Sequence, residues 1–481
     1  MRVIYVSTEI FPALKTGGLA DVNAALSKAL LGLGVDIRLL LPAYPSILQA
    51  VDDLRPVVRL HADVIAADVR VLSGRIGNVP VYLIEAGALY AKSGNPYVDE
   101  EGRDWPDNHL QFSLLGWIAA RFADGAIDGW RPDIVHGHDW HAGLAPAYLA
   151  ARGGDRPGSI FTLHNLAYQG EFPATRFKDL ALPASFFSIN GLEFYGKVNY
   201  MKSGLHYADR ITTVSPTYAR EIQTAEFGFG LDGLLRSRSG ALTGILNGVD
   251  RSIWNPQTDS AIAAGFSNRD FAGKTKCRDA LRSELGLACS EGPIFCVVSR
   301  LTAQKGLDLV MDVLPDLIGG GGQMVLLGSG DPDLEARMRE AAPGYPGAVA
   351  FRFAYDEKLA HRIIAGSDVI MVPSRFEPCG LTQMYGLAYG TLPLVRRVGG
   401  LADTVCNVTA GTIAAGTATG FTFERAIAGE LREAVVRAFE LWKKPAQWRR
   451  VRQSAMSQDF TWEAAALRYV DLYRELRPLA G

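Results

Sequence analysis

Several stretches of the chain combine residue types and spacings that suit an anion or a sugar. Lys15-Thr16-Gly17-Gly18-Leu19-Ala20-Asp21 sets two glycines beside a lysine, just ahead of a helical apolar pattern. Glycines let backbone N–H groups approach an anion, and a helix start adds positive partial charge. A turn that is glycine-rich for packing alone looks the same. The stretch is not a Walker loop, which needs Gly-Lys-Ser/Thr in that order, nor a Gly-x-Gly-x-x-Gly dinucleotide fingerprint. A second stretch, His136-Gly137-His138-Asp139-Trp140-His141, ends one predicted strand, and His164-Asn165 ends the next. Three histidines and a carboxylate invite a zinc reading. A hydrolase of the His-x-His-x-Asp-His type would need its aspartate where Trp140 stands, so no metal site is expected. Histidines satisfied by hydrogen bonds are the plain alternative for His136 and His138. Asp139 and His164 are the better site residues because both end strands on one sheet edge.

The third stretch is Ser299-Arg300-Leu301-Thr302-Ala303-Gln304-Lys305-Gly306. Its two cations have no carboxylate between them, which favours an anionic ligand over a mutual ion pair, with a solvated surface pair as the alternative. Arg300 can hold phosphate oxygens in a fork, while Lys305 acts as a point charge. The fourth, Pro373-Ser374-Arg375-Phe376-Glu377-Pro378-Cys379-Gly380-Leu381-Thr382, turns on Pro378 and Gly380 ahead of a helical pattern. Its turn leaves the N–H groups of Gly380, Leu381 and Thr382 aimed outward. Glu377 could accept hydrogen bonds from sugar hydroxyls or serve as a structural cap, and Cys379 reads as a small packed residue with no adjacent histidine to activate it. The Asp331-Pro332-Asp333 element reads as a helix cap rather than a metal and diphosphate site. Gly399-Gly400-Leu401-Ala402-Asp403 echoes the first glycine turn.

These groups need a scaffold that brings strand ends together. Apolar runs at residues 2–7, 36–41, 79–84, 133–136, 159–163 and 210–214 alternate with helical patterns at 20–33, 108–123 and 141–151. That alternation predicts a parallel sheet covered by crossover helices. It restarts at 293–299 and runs through 307–317, 323–327, 349–353, 369–372, 392–395 and 420–423, a second sheet. Between the two series, 247–268 carries Pro256 and little periodicity and reads as a connector or hinge. The expected domains are therefore 1–247, then 248–459 with a connector at 248–270, then an amphipathic tail helix within 460–481. Ligands bind outside the carboxyl ends of parallel strands, so the site residues are expected on those ends.

Length and composition agree with a large multi-domain α/β protein: 481 residues, at about 150 per domain, exceed what one core usually serves. With 49 Lys+Arg against 51 Asp+Glu and 48% hydrophobic residues, the chain is neither disordered nor steered towards nucleic acid. The five cysteines form no Cys-x-x-Cys pair, which fits a reducing cytoplasm. No apolar run approaches the roughly 18–20 residues of a membrane span, and the first residues lack the pattern of a secretion signal, so a soluble protein is expected.

The lysine–glycine turn, His138-Asp139-Trp140, the stretch at 299–306 and that at 374–383 together resemble the motifs of the bacterial glycogen synthase and plastid starch synthase family, from end to end. The resemblance implies a GT-B architecture, two Rossmann-like domains facing across a deep cleft, with a final helix returning to the N-terminal domain. It implies transfer of glucose from ADP-glucose to the non-reducing 4-hydroxyl of glycogen or another α-1,4-glucan, with retention of configuration. Carried over, Arg300 and Lys305 would neutralise the departing diphosphate, and Gly18 with the Gly380, Leu381 and Thr382 amides would complete its cradle beside Cys379. His164, Asp139, Asn247 and Glu377 would orient the glucosyl unit, with Asn165 at the same edge. Lys15, with Gly17 and Asp21 in its turn, would reach the donor, and Tyr355 would stack on adenine. No metal or other cofactor is expected, since preorganised cations can stabilise the leaving diphosphate. Front-face attack with His164 holding the glucose is favoured over a covalent Asp139 intermediate. A sucrose- or trehalose-phosphate-forming transferase, a zinc hydrolase and a non-catalytic glucan-binding protein are the rival readings.

Overall fold

The computed structural model describes residues 1–477 apart from Asp63, Ser93, Ala126, Asp128 and Tyr355, so the adenine-stacking expectation for Tyr355 lies outside the described residues. The chain divides into two units, Met1–Gly248 with Trp462–Gly481, and Val249–Thr461.

In the first unit the strands are β1 (Arg2–Val6), β2 (Asp36–Pro42), β3 (Asp52–Ala62), β4 (Ala66–Ile76), β5 (Val79–Glu85), β6 (Ile134–His138), β7 (Gly158–Leu163), β8 (Glu171–Pro173), β9 (Glu193–Phe194), β10 (Lys197–Asn199), β11 (Arg210–Thr213) and β12 (Leu242–Gly244). Nine of them form one sheet in the order β12-β11-β7-β6-β1-β2-β5-β4-β3. From β12 to β5 every pairing is parallel. Strand β1 shows why. Val3, Ile4, Tyr5 and Val6 are all fully buried, so helices must cover both faces, and parallel pairing with crossover helices achieves that.

The expected parallel sheet carries an antiparallel extension at one edge. There β3, β4 and β5 pair antiparallel, and β8, β10 and β9 form a separate three-stranded sheet. The β3–β4 hairpin is largely exposed and carries Arg55, Arg59, Asp68 and Arg70, so its strands lack the continuous apolar run of their neighbours. The helix Trp462–Leu476 joins this unit, burying Trp462, Ala466, Tyr469 and Tyr473 in its core. Each fully buried large apolar side chain contributes about 1.5–3 kcal/mol.

The second unit holds β13 (Ile294–Val298), β14 (Gln323–Leu327), β15 (Val349–Arg352), β16 (Val369–Val372), β17 (Leu392–Arg396) and β18 (Phe421–Phe423). The sheet order is β15-β14-β13-β16-β17-β18, all parallel. Residues 307–317 belong not to a strand but to the helix Leu307–Gly319, whose apolar positions recur on one buried stripe at Leu307, Val310, Val313, Leu314 and Leu317. The segment read as a connector or hinge packs on this unit. Trp254 is stacked between His361 and Tyr385, with ring centroids 3.7 and 3.9 Å away. Asp259 accepts hydrogen bonds from Tyr389 Oη and His361 Nδ1 at 2.6 and 2.7 Å.

Both sheets reverse their winding beside their first strand, at β1/β6 and at β13/β16. Loops leaving adjacent strands there diverge to opposite faces and open a crevice at the carboxyl edge, where ligands of such sheets bind. The residues singled out from the sequence lie largely on those loops.

Candidate functional site

In the first unit β6 delivers Asp139 and β7 delivers His164 and Asn165 to the same edge. Asp139 is 8% exposed and has φ 59° and ψ 176°, a conformation a non-glycine residue rarely adopts. Such backbone strain costs about 1–3 kcal/mol and is held by the surroundings. Here the Asp139 N–H donates to the Thr162 carbonyl at 2.8 Å, the Ala142 N–H donates to the Asp139 carbonyl at 2.9 Å, and the His164 N–H donates to Asp139 Oδ1 at 3.2 Å. Burial pushes the Asp139 carboxyl up to about 7, against the opposing pull of neighbouring backbone N–H groups.

The imidazoles beside it move the other way. Burial brings His164, His136 and His141 down to about 3 and takes His138 well below its ordinary value, so all four are neutral near pH 7. His138 Nδ1 lies 3.0 Å from His164 Nε2, and the His138 ring stacks on Tyr5 at 4.0 Å. His136 bonds to Tyr473 Oη at 2.8 Å and Thr162 Oγ1 at 2.7 Å. His136 is thus the satisfied core histidine of the plain reading. Among the described residues no group of three or more His, Cys, Asp or Glu is disposed to hold a metal ion.

The glycine turn opens the helix Gly18–Gly32, with Gly17 as its N-cap. A Cβ at Gly17 would meet no protein atom within 4 Å, so space is open there. Lys15 Nζ lies 3.0 Å from Asp21 Oδ1, an ion pair inside the turn. Asn247, three residues beyond β12, is 6% exposed. Two residues that the sequence reading passed over complete this edge: Glu9 accepts hydrogen bonds from both the Thr16 N–H and the Thr16 hydroxyl at 2.6 Å, and Tyr97 donates its hydroxyl to Glu9. The readable signal for Glu9 was a carboxylate three residues past a buried strand. Tyr97 lies in a loop with no such marker.

In the second unit β13 delivers Arg300 and Lys305 while the neighbouring β16 delivers Ser374 to Thr382. The Arg300 side chain is exposed and makes no hydrogen bond or ion pair among the described residues. Lys305 differs. Its Nζ is 2.6 Å from Glu377 Oε2, which also accepts from Ser374 Oγ at 2.8 Å. The stretch holds no carboxylate between its cations, which favoured an anionic ligand over an ion pair, yet Lys305 has a carboxylate partner that arrives from a loop 72 residues away in sequence. Glu377 is 6% exposed and caps no helix.

Backbone close approach explains the glycines. Gly306 has φ 65°, and a Cβ there would lie 2.3 Å from the Pro373 carbonyl oxygen, so only glycine lets the two loops meet. Arg375 grips Asp308 with its two terminal guanidinium nitrogens at 2.8 and 2.6 Å, and Gln304 Nε2 donates to the Phe376 carbonyl at 3.1 Å, locking the loops together. The echo motif is a buttress: the Gly400 N–H donates to the Glu377 and Pro378 carbonyls at 3.1 Å. At the turn itself the N–H groups of Gly380, Leu381 and Thr382 donate to no acceptor among the described residues, and Thr382 starts the helix Thr382–Ala388. Cys379 is packed at 6% exposure. Asp331 Oδ1 accepts from the Asp333 and Leu334 N–H groups at 2.9 and 3.2 Å, the helix cap expected of it.

The first unit thus gathers neutral imidazoles and buried carboxylates, suited to hydroxyl groups. The second gathers a free guanidinium, a lysine and unused N–H groups, suited to phosphate oxygens.

Comparison with known proteins follows the same division. Residues 2–237 match the family described as Starch synthase catalytic domain, and 285–453 match Glycosyl transferases group 1. A glycogen synthase of Variovorax paradoxus (strain S110) is 52% identical over 494 residues, covering 100% of each chain. One from Francisella tularensis subsp. novicida (strain U112) is 51% identical over 484 residues, 99% of each chain. Among solved structures, the catalytic domain of Starch Synthase IV from Arabidopsis thaliana, bound to ADP and acarbose, is 34% identical, covers 99% of both chains and has a TM-score of 0.88. Sucrose-phosphate synthase of Thermosynechococcus elongatus, 19% identical over 100% of both chains with a TM-score of 0.61, shares the fold.

Proposed function

The chain belongs to the glycogen and starch synthase family of retaining glycosyltransferases, with its GT-B architecture of two Rossmann-like domains, and from that premise we propose how its residues act and which donor it takes. The donor is ADP-glucose, the acceptor the non-reducing 4-hydroxyl end of glycogen or a related α-1,4-glucan, and ADP is released. The observation that carries the donor half is the pairing, on adjacent strand ends, of the unengaged Arg300 guanidinium with the unused N–H groups of Gly380, Leu381 and Thr382. As the glycosidic bond breaks, negative charge grows on the diphosphate, and preorganised cations and dipoles stabilise it without reorganising. Lys305 adds a second cation, held in place by Glu377.

On the glucosyl side, His164 and Asp139 hold the sugar through hydrogen bonds, with Asn165 and Asn247 as further polar contacts. Lys15, with Gly17, Gly18 and Asp21 in its turn, meets the donor. A neutral His164 can accept from or donate to a hydroxyl without adding charge. The acceptor hydroxyl attacks on the face from which ADP leaves, which preserves the configuration, and its proton passes to the departing phosphate oxygen. ADP is a good leaving group, so no protonated carboxylic acid of the glycosidase type is required. No metal takes part in this scheme.

The test is transfer of radiolabelled glucose from ADP-glucose to glycogen, with a chelator present and no added metal. Incorporation is expected at a rate the chelator does not change. Incorporation from UDP-glucose alone would overturn the donor assignment, and loss on chelation would overturn the metal-free scheme.

A further inference from the structure

Glu9 stands three residues beyond β1, at the same edge as Asp139 and His164, and is 2% exposed. Its partners are all hydrogen donors. The Thr16 N–H donates to Oε2 and the Thr16 hydroxyl to Oε1, both at 2.6 Å, and the Tyr97 hydroxyl donates to Oε1 while lying 2.8 Å from Thr8 Oγ1. Thr16 sits between Lys15 and Gly17, so the carboxylate clamps the glycine turn by main chain and side chain at once. Tyr97 reaches in from another loop and stacks on His141 at 4.5 Å. The Glu9 carbonyl in turn accepts from Asn23 Nδ2 at 2.7 Å, on the helix that the turn opens, and Asn23 Oδ1 accepts from Tyr5 Oη at 2.9 Å, whose ring stacks on His138. One residue therefore ties the glycine turn, the Tyr97 loop and the histidine stack into a single network.

We propose that Glu9 is a positioning residue of the transfer reaction: it sets the Lys15 to Gly18 turn, and with it the donor contacts, by gripping Thr16 and Tyr97. The inference rests on the proposed function, in which that turn meets the donor. A carboxylate suits the task because it presents acceptors to all three donors, whereas an amide in its place offers one acceptor atom and turns an NH₂ group on the other donor. Buried donors left without an acceptor lose their hydration uncompensated, so the turn moves rather than leave them unpaired. The charge of Glu9 also reaches Asp139, adding to the burial that raises that carboxyl.

The test is steady-state kinetics of the full chain with ADP-glucose and glycogen, alongside thermal unfolding. Glu9→Gln is expected to lower kcat at least tenfold and raise KM for ADP-glucose severalfold, leaving KM for glycogen within twofold of the native chain. Thr16→Val should do the same to a smaller degree, and Thr16→Ser, which keeps the hydroxyl, should restore native kinetics. The double variant Glu9→Gln/Thr16→Val should be no worse than Glu9→Gln, because both cut the same link. Native donor parameters in Glu9→Gln, or additive losses in the double variant, would overturn the proposal. So would equal rises in both KM values with a lowered unfolding temperature, the mark of a merely structural role. If Glu9→Gln does not fold, the Thr16 pair carries the same expectation and the same refutation. Failure of the native chain to use ADP-glucose would instead sink the functional reading, so the two failures are separable.

Discussion

The two units present polar groups at the carboxyl edge of a parallel sheet with opposite electrostatics. The first unit excludes water and removes charge: burial brings His164 down to about 3 and lifts Asp139 to about 7. The second keeps its charge. Arg300 stays exposed, and Lys305 is offset by a carboxylate 2.6 Å away. The contrast matches the groups that the proposed reaction would give each unit to hold. Hydroxyls need oriented donors and acceptors, which a dry pocket strengthens, whereas a diphosphate needs net positive charge and N–H dipoles.

The sharpest way to break that contrast is Lys305→Ala. In the proposed reaction it removes a cation that would act as charge develops on the diphosphate, and it strands Glu377 in a buried position. Turnover should fall by about 10²–10³-fold, the scale of one lost oxyanion-type donor. Single-turnover assays that show a native rate would mean that the second unit does not act through this cation.

Glu377→Gln is the next smaller change and separates the two roles of that residue. Turnover should fall about tenfold or more, since loss of a charged hydrogen-bond partner costs roughly 1.5–3 kcal/mol and leaves Lys305 less well placed. ADP should nevertheless bind severalfold tighter, because a negative charge beside the proposed phosphate seat is gone. Calorimetry with ADP would expose the opposite outcome, weaker binding, which would make Glu377 a direct support of the nucleotide.

Acid stability has the least effect on the reaction but isolates the first unit. The folded-state values of His136, His141 and His164 lie near 3, below the ordinary 6.5. Between these values the unfolded chain binds protons that the folded unit refuses, so stability is full above about pH 6.5 and drains away as pH falls towards 3. Asp139, raised from 3.8 to about 7, works the other way, gaining relative stability as pH falls through 7. The histidines outnumber it, so a net loss is expected. Calorimetric scans from pH 7 to 4 that show constant unfolding enthalpy and temperature would contradict this account.

Much of the scaffold was legible because buried parallel strands announce themselves as unbroken apolar runs. Strands β1, β2, β5, β7 and β14 fall where those runs do. The β3–β4 hairpin was not, since one-sided exposure dilutes its apolar residues with arginine and aspartate. The helix Leu307–Gly319 hid among strand-like runs because a short apolar segment reads either way. Asp331 as a cap could be read locally, being decided by residues two and three positions on. The pairing of Lys305 with Glu377 could not, because nothing in either motif says which side chains will meet across two strands.

Residue types, spacing and order determined by themselves that two sheets would form, that glycine turns and cations would follow strands, and to which family the chain belongs. Those features are local or periodic, and short-range sterics and hydrophobic patterning suffice to specify them. Only the tertiary structure decided which histidine is a core residue and which ends at the candidate site, which cation is left unengaged among the described residues, and that Glu9 clamps the turn seven residues ahead of it. Each of those outcomes depends on how deeply a group is buried and on what another loop presents to it, and burial and partner are properties of the packed whole.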